Sequence, residues 1–402
     1  MARYPGINLQ LEATNRRVDL VGEGIDVAIR VRPRPFDDSD LVLRVLADRG
    51  HCLVASPVLI ERMGNPVMPA ELSDWPGLSM GAGKHLHKWE LSGPEGAKAE
   101  IHFTPRLVTT DMLLEGIHFD LVYTPLKHLG YKAAVVNFSD IYAMNGTPQQ
   151  ITVSLGISKR FSVEDLEEFY KGLKQACDIY GVDIVGGDTT SSLTGFTISI
   201  TCIGSVDADK IVYRNGAKDT DLLYVSGDLG ASYMGLQLLE REKSVFNGSS
   251  DVQPDFSGKE YLLERQLKPE ARRDIVVLLA ENGIIPTAMI DISDGLSSDL
   301  LHICKQSNTG CQLFEERLPI DYQTAMMAET FNMNVTTVAL NGGEDYELLF
   351  TVPLTLHENM KSVPGVHLIG HISKPEQGCF LVTRDGQEMQ LRAQGWNHLD
   401  ER

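Results

Sequence analysis

Residues 181–204 read GVDIVGGDTTSSLTGFTISITCIG. An apolar run, Val182 to Val185, is followed by paired glycines, an acid and four hydroxyl side chains (Gly186-Gly187-Asp188-Thr189-Thr190-Ser191-Ser192), then by a second apolar run, Phe196 to Ile203. The pattern predicts a strand, a turn and a strand. Paired glycines let a backbone approach phosphate oxygens closely, and an adjacent carboxylate can hold a metal that bridges them. The same residues would equally make a tight hairpin with polar filler, so the neighbouring segments have to decide.

They repeat the pattern. RLVTTDMLLEGIHF (106–119) predicts a strand, then Thr109, Thr110 and Asp111, then a turn at Gly116 with His118 close behind. Its hydroxyl and carboxylate oxygens are hard ligands of the kind Mg²⁺ takes, although a Thr-Thr-Asp run is also a common helix cap. AAVVNFSDIYAMNGTPQQITVSLGI (133–157) sets Asp140 after an apolar run, with Gly146 and Pro148 closing the segment before a strand from Ile151 to Leu155. Ser162 then opens a helix whose apolar positions Leu166, Phe169, Leu173 and Cys177 keep the 3.6-residue period; Tyr170 beside them is either core or surface. AMIDISDGLSSDLLHI (288–303) gives a strand ending at Asp291, with Asp294 and Gly295 opening a helix that runs to about Ser307. Asp294 could serve only as a cap, whereas Asp291 at a strand end has no such role. VALNGGEDYELLFTV (338–352) adds Gly342, Gly343, Glu344 and Asp345 before another apolar strand. Asp111, Asp140, Asp188, Asp291, Asp294, Glu344 and Asp345 thus stand at element ends, and so many acids in one place require cations to coexist.

Composition narrows the classes. A chain of 402 residues, 43% hydrophobic, is long enough for two or three domains with cores of their own. Apolar runs such as Ile198 to Ile203 and Ile275 to Ala280 fall far short of the roughly 20 residues of a membrane span, and the N-terminus does not open a signal peptide, which predicts a cytoplasmic protein. A net charge of −19 argues against nucleic-acid binding. The six cysteines lack zinc-gripping pair spacing, and several sit in apolar segments where a free thiol acts as a small hydrophobe.

The chain also has two compositions. Residues 1–106 carry 13 basic and 14 acidic side chains, and residues 107–402 carry 23 and 41, so nearly all the negative charge lies after residue 106. The first segment predicts short strands at Leu9 to Ala13 and Asp26 to Val31 and a short helix from Ala55 to Met63 stopped by Gly64. Its stretches YPGINLQLEATNRRVDLVGEGIDVAIRVR and DSDLVLRVLADRGHCLVASPVLIERMGNPVMPAELSDWPGL resemble the effector-binding domain of LysR-type transcription regulators over about residues 4–105. That resemblance implies a partial periplasmic-binding-like α/β fragment, without the DNA-reading helix-turn-helix and without the first strand and helix of the effector domain. The join at PRLVTTDM has the form of a fusion at a short shared string.

Taken in order, TTD–EGIHF, NFSDIYAMNG, GGDTTSS, DISDGLSSDL and GGEDYEL resemble thiamine-monophosphate kinases of the AIR-synthetase-like (PurM-like) superfamily, over nearly 300 residues. The resemblance implies an α/β half (107–208) that pairs with a second copy into a homodimer, an α+β half (209–402), and an active site between the halves. It implies ATP as co-substrate and several Mg²⁺ ions. Carried over by position, Thr109, Thr110, Asp111, Asp140, Asp188, Asp291 and Asp294 become metal ligands, with Asp111, Asp140, Asp188 and Asp291 central to catalysis. Tyr170, Gly187, Asp188, Arg214 and Ser293 become ATP contacts, and His118, Glu344 and Trp396 substrate contacts, Trp396 by stacking on a thiamine ring. Thiamine monophosphate is already a dianionic nucleophile near neutral pH, because a phosphate monoester has a second pKa of about 6, so direct transfer needs no strong base. One departure stands out: the family's early Gly-Asp-Asp turn has no equivalent here, which predicts a weakened metal set. Two other classes compete. One is a selenophosphate-synthetase-like or purine-pathway enzyme, which would need a reactive Cys or Lys in the early glycine-rich segment; the other is an inactive chimera or a small-molecule effector module formed by residues 1–106.

Overall fold

The computed structural model describes residues 60–61, 63–75, 88–93, 97–102, 106–193, 195–248 and 256–393. The chain divides into two compact units, 1–62 and 63–402, and the account below concerns the second. The expected strands at 9–13 and 26–31 lie outside the described residues. Of the expected helix at 55–63, Ile60, Glu61 and Met63 are helical, and Gly64 follows with a φ of 89°. Strands β1 (Lys88–Ser92) and β2 (Lys98–His102) form a two-stranded antiparallel ribbon.

The next six elements are β3 (Arg106–Leu114), α1 (Leu126–Ala143), β4 (Thr147–Ile157), α2 (Val163–Tyr180), β5 (Asp183–Ser191) and β6 (Thr197–Ser205). The sheet order is β3-β6-β4-β5, with β6 antiparallel to both β3 and β4 and β5 parallel to β4. Ile151, Val153 and Leu155 of β4 and Ile198, Ile200 and Cys202 of β6 alternate into the core, as a half-buried sheet requires. Helix α2 starts where the sequence predicts: Ser162 caps it reciprocally with Asp165, and Gly181 ends it in the left-handed region at φ 74°. Helices α1 and α2 cross backbone to backbone. A Cβ on Gly172 would lie 1.7 Å from the Lys127 carbonyl, and one on Gly130 would lie 2.0 Å from that of Phe169.

Three sequence expectations fail here. Thr109, Thr110 and Asp111 sit within β3, not in a turn after it. Asp140 belongs to the last turn of helix α1, not to the end of a strand. Gly186 to Ser191 continue β5, so the glycine pair is not a turn. The cause is the same in each: these segments are supported on one or more sides by tertiary neighbours, which override local turn signals.

The second half holds a seven-stranded sheet in the order β13-β12-β9-β11-β7-β10-β8. Its strands are β7 (Leu222–Ser226), β8 (Ala288–Asp291), β9 (Gly310–Phe314), β10 (Leu348–Val352), β11 (Val366–Ser373), β12 (Cys379–Val382) and β13 (Glu388–Gln390). Helices α3 (Ala231–Gly248), α4 (Glu260–Leu267), α5 (Arg273–Glu281), α6 (Leu296–Ser307), α7 (Tyr322–Thr330) and α8 (Val335–Asn341) surround it. Every residue of β8 and β10 is buried, as in strands covered on both faces. Strand β8 delivers Asp291 to one edge of the sheet, where α1 of the first half packs.

Candidate active site

Helix α1 is apolar almost all round, and 14 of its 18 residues are buried. Its few polar side chains therefore have to be satisfied by specific partners. The Ser139 hydroxyl donates to Asp291 Oδ2 at 2.6 Å. The Thr109 hydroxyl donates to Asp140, and the amide oxygen of buried Asn137 accepts from the Asp111 backbone N–H at 3.1 Å. Three carboxylates from β3, α1 and β8 are thereby collected at the junction of the two sheets.

Their protonation reflects the crowding. Burial, then the neighbouring Asp140, pushes the Asp111 carboxyl up to about 7. Burial raises Asp140 against the opposing pull of Thr109 and Arg214. Asp291 is raised by burial and by Asp140, against its bond from Ser139. Asp299 of α6, which no sequence motif singled out, accepts from the Asp294 N–H at 3.2 Å and is pushed up to about 8, first by burial and then by Asp291 and Asp294. A cavity of about 400 Å³ opens beside Thr109 and Asp140, lined also by Tyr213, Arg214, Asn215 and Met289. An all-oxygen donor set whose acids repel one another and meet Arg214 as their opposing charge is suited to hard divalent cations.

The Gly342–Glu347 loop closes the far side. Glu344 and Tyr346 adopt left-handed backbone conformations, φ 56° and 52°, which side chains other than glycine rarely take. The loop is held there by hydrogen bonds from Glu344 N–H to the Ser293 carbonyl at 2.8 Å and from Tyr346 N–H to that of Ile292 at 2.9 Å. The buried Lys132 ammonium of α1 donates to Glu344 Oε2 and to the Gln266 carbonyl, both at 3.0 Å. Asp345 and Glu347 point the other way. Asp345 accepts from the Gly230 N–H at 2.9 Å, and Glu347 accepts from Ser226, Arg265 and Arg272. That network anchors the loop to the second half, so Asp345 has a structural explanation.

The remaining expected residues are placed differently. Cross-strand pairing runs Asp111–Ile200–Val153–Gly187 and Met112–Ser199–Ser154–Asp188, so Asp188 stands on the sheet face opposite Asp111, on the exposed edge strand β5. Thr110 shares that open face and bonds to Thr201 at 2.8 Å. The structure does not bring these two into the acidic cluster. Gly187 meets a real constraint, because a Cβ there would lie 1.9 Å from the Val153 carbonyl. Tyr170 is half-buried, edge-on to Phe169. Ser293 and Asp294 are exposed in the loop before α6. His118 is exposed, its Nδ1 accepting from the Leu114 N–H at 3.0 Å. Trp396 lies outside the described residues. Residues that sequence reasoning missed are Lys132, Asn137, Ser139 and Asp299; a lone lysine inside the apolar run of α1 was the available signal for the first.

Comparison with known proteins gives two family matches: "AIR synthase related protein, N-terminal domain" over residues 100–206, and "LysR substrate binding domain" over residues 1–115. The chain is 35% identical over 310 residues to a thiamine-monophosphate kinase of Aquifex aeolicus, an alignment covering 77% of this chain and 93% of that protein. It is 31% identical over 303 residues to one of Bacillus subtilis, covering 74% and 89%. Among solved structures it resembles AaThiL complexed with AMPPCP and TMP, at 33% identity and a TM-score of 0.64, covering 78% of this chain and 91% of that one.

Proposed function

Because the chain belongs to the thiamine-monophosphate kinase family and carries its PurM-like α/β plus α+β fold, we propose that it transfers the γ-phosphoryl group of ATP directly to thiamine monophosphate, giving thiamine diphosphate. The observation that supports this reading most is the meeting of Asp111, Asp140 and Asp291 beside a cavity that Arg214 also lines. Asp111, Asp140, Asp291 and Thr109 would hold Mg²⁺, joined by Asp294 from the loop before α6. When bound, Mg²⁺ neutralises phosphate oxygens as charge spreads over the transferring group.

The residues of the chain supply position and charge. Ser139 and Thr109 fix Asp291 and Asp140 in single orientations, so the site loses no energy reorganising them during transfer. Arg214 adds a permanent cation facing the cavity for nucleotide phosphate. Lys132 holds Glu344 toward the substrate side, where a carboxylate suits the positively charged thiazolium ring of thiamine. The acceptor phosphate ionises by itself, so no side chain has to take its proton. The parts given to Thr110, Asp188, Gly187, Tyr170, Ser293, His118 and Trp396 rest on the family resemblance alone.

We further read the chain as a cytoplasmic homodimer with halves at 107–208 and 209–402. No described helix is long and apolar enough to cross a membrane. The open face and edge of the four-stranded sheet expose Val108, Met112, Ile184 and Val185, apolar area that a second copy would cover. The deciding experiment is an ATP-dependent assay with separated products. Thiamine diphosphate should form from thiamine monophosphate and ATP with Mg²⁺, and unphosphorylated thiamine should be refused. Absence of product at any Mg²⁺ concentration, or phosphorylation of thiamine at a comparable rate, would defeat the proposal.

A further inference from the structure

Cys304 on α6 and Cys311 and Cys379 on neighbouring strands β9 and β12 come together toward the end of the seven-stranded sheet away from β8. Cys311 on β9 and Cys379 on β12 are direct partners across a parallel strand pair. Cys304 sits in the last turn of α6, which reaches β9 through Asn308 in the left-handed region at φ 53°. The three sulfurs all lie within 4.8 Å of one another. Cys304 and Cys311 are buried, and Cys379 is half-buried, which leaves one side of the cluster open for entry.

The geometry points to a three-thiolate site for a soft d10 cation, Zn²⁺ or Cu⁺. A zinc–sulfur bond is about 2.3 Å, which places three ligating sulfurs roughly 4 Å apart; the observed spread needs only a small closure. The ligand set is sulfur alone, and thiolates select soft ions while the hard oxygens of the acidic cluster select Mg²⁺, so the two sites would not compete. A packing role alone does not account for the polar surroundings. The Ser373 hydroxyl, whose residue pairs across strands with Gly310 next to Cys311, is buried without a hydrogen-bond partner among the described residues. Binding would tie the C-terminal end of α6 to the sheet. The N-terminal end of that helix carries the Asp294–Asp299 contact, so the ion would steady the loop that faces the acidic cluster.

The test uses the full chain, purified reduced and stripped by a chelator, with Zn²⁺ alone and Cu⁺ alone as separate arms and Co²⁺ as a spectroscopic probe. One equivalent of at least one ion should bind, Co²⁺ should give thiolate charge-transfer absorption, and the melting temperature should rise with free ion. C379S, at the half-buried position, should weaken binding at least about tenfold, and C379A should match it; C177S, in the first half, should change nothing. Zinc alone or copper alone binding supports the site and names its ion. Binding of neither, full binding by folded C379S and C379A, or a mass showing two of the three sulfurs joined as a disulfide would overturn it.

Discussion

Asp291→Asn should make the metal-free protein more stable and the enzyme nearly inactive. Asp291 is 3% exposed, its carboxylate accepts a hydrogen bond from Ser139, and burial together with Asp140 raises its carboxyl. The sign follows from linkage: the folded state holds this proton more tightly than the unfolded chain, so its contribution to stability is full below the unfolded pKa of about 4 and is lost as pH rises through the folded value. Asp111, raised from 3.8 to about 7 by the same burial and by Asp140, sets the scale. Three pKa steps correspond to at most roughly 4 kcal/mol, and relaxation of a real site reduces that. Asparagine keeps an acceptor for Ser139 and carries no charge, so at about pH 8 it should stabilise the stripped protein by about 1–3 kcal/mol, or about 2–5 °C in melting temperature, and at about pH 4 by almost nothing. Mg²⁺ should raise the melting temperature of the parent and scarcely that of the variant. Turnover should fall by about a hundredfold, the usual loss on removing one electrostatic contact to a transition state. Differential scanning calorimetry at both pH values, with and without Mg²⁺, checks this. A variant less stable than the parent at about pH 8, or one with the parent's Mg²⁺ response, would refute the reasoning.

Gly172→Ala should cost roughly 2–4 kcal/mol in denaturant unfolding, because the new Cβ would stand 1.7 Å from the Lys127 carbonyl, while KM for ATP in the folded fraction stays unchanged. Lys132→Met should cost about 1–2 kcal/mol by removing the partner of the buried Gln266 carbonyl and leaving Glu344 with the Gln266 amide, and should weaken thiamine monophosphate binding in calorimetric titration. Asp188→Asn separates the resemblance from the geometry: a metal role predicts about a hundredfold loss of turnover, and a rate within about twofold of the parent would remove Asp188 from the site. Replacing residues 1–106 by a family N-terminus with the Gly-Asp-Asp turn should raise the rate and lower the Mg²⁺ needed for half-maximal activity. Equal rates and equal Mg²⁺ dependence would show that the turn is dispensable.

Parts of this were legible in the sequence because local chemistry and tertiary outcome agree. Ser162 caps α2 as its type suggests, and Asp291 ends β8 as an acid after an apolar run must. The glycine pair misled because Gly186 and Gly187 announce a turn, yet an edge strand tolerates them and the Val153 carbonyl at Gly187 needs the missing side chain. The run at 133–143 misled for a related reason. A segment buried on all sides shows no apolar stripe, so periodicity cannot distinguish a buried strand from a buried helix.

Once that segment is known to be a helix, its spacing yields the site. Lys132 and Ser139 are seven residues apart, two turns, and so share one stripe; the first meets Glu344 and the second Asp291, both in the second half. Asn137 and Asp140, three apart, share the neighbouring stripe, and meet Asp111 and Thr109 of β3 in the first half. Four polar side chains of this buried stretch are therefore links to residues that the motifs had named in different segments. The helix gains little from these four links in stability, because hydrophobic residues would fill the same volume without needing partners. What the links supply is register: a slide of α1 by one residue, about 1.5 Å, or a turn of about 100°, would break all four at once. The acids on β3, α1 and β8 are held in mutual repulsion around an element that bonds to both halves, and the same helix that could not be read locally is what makes the distant motifs a single site.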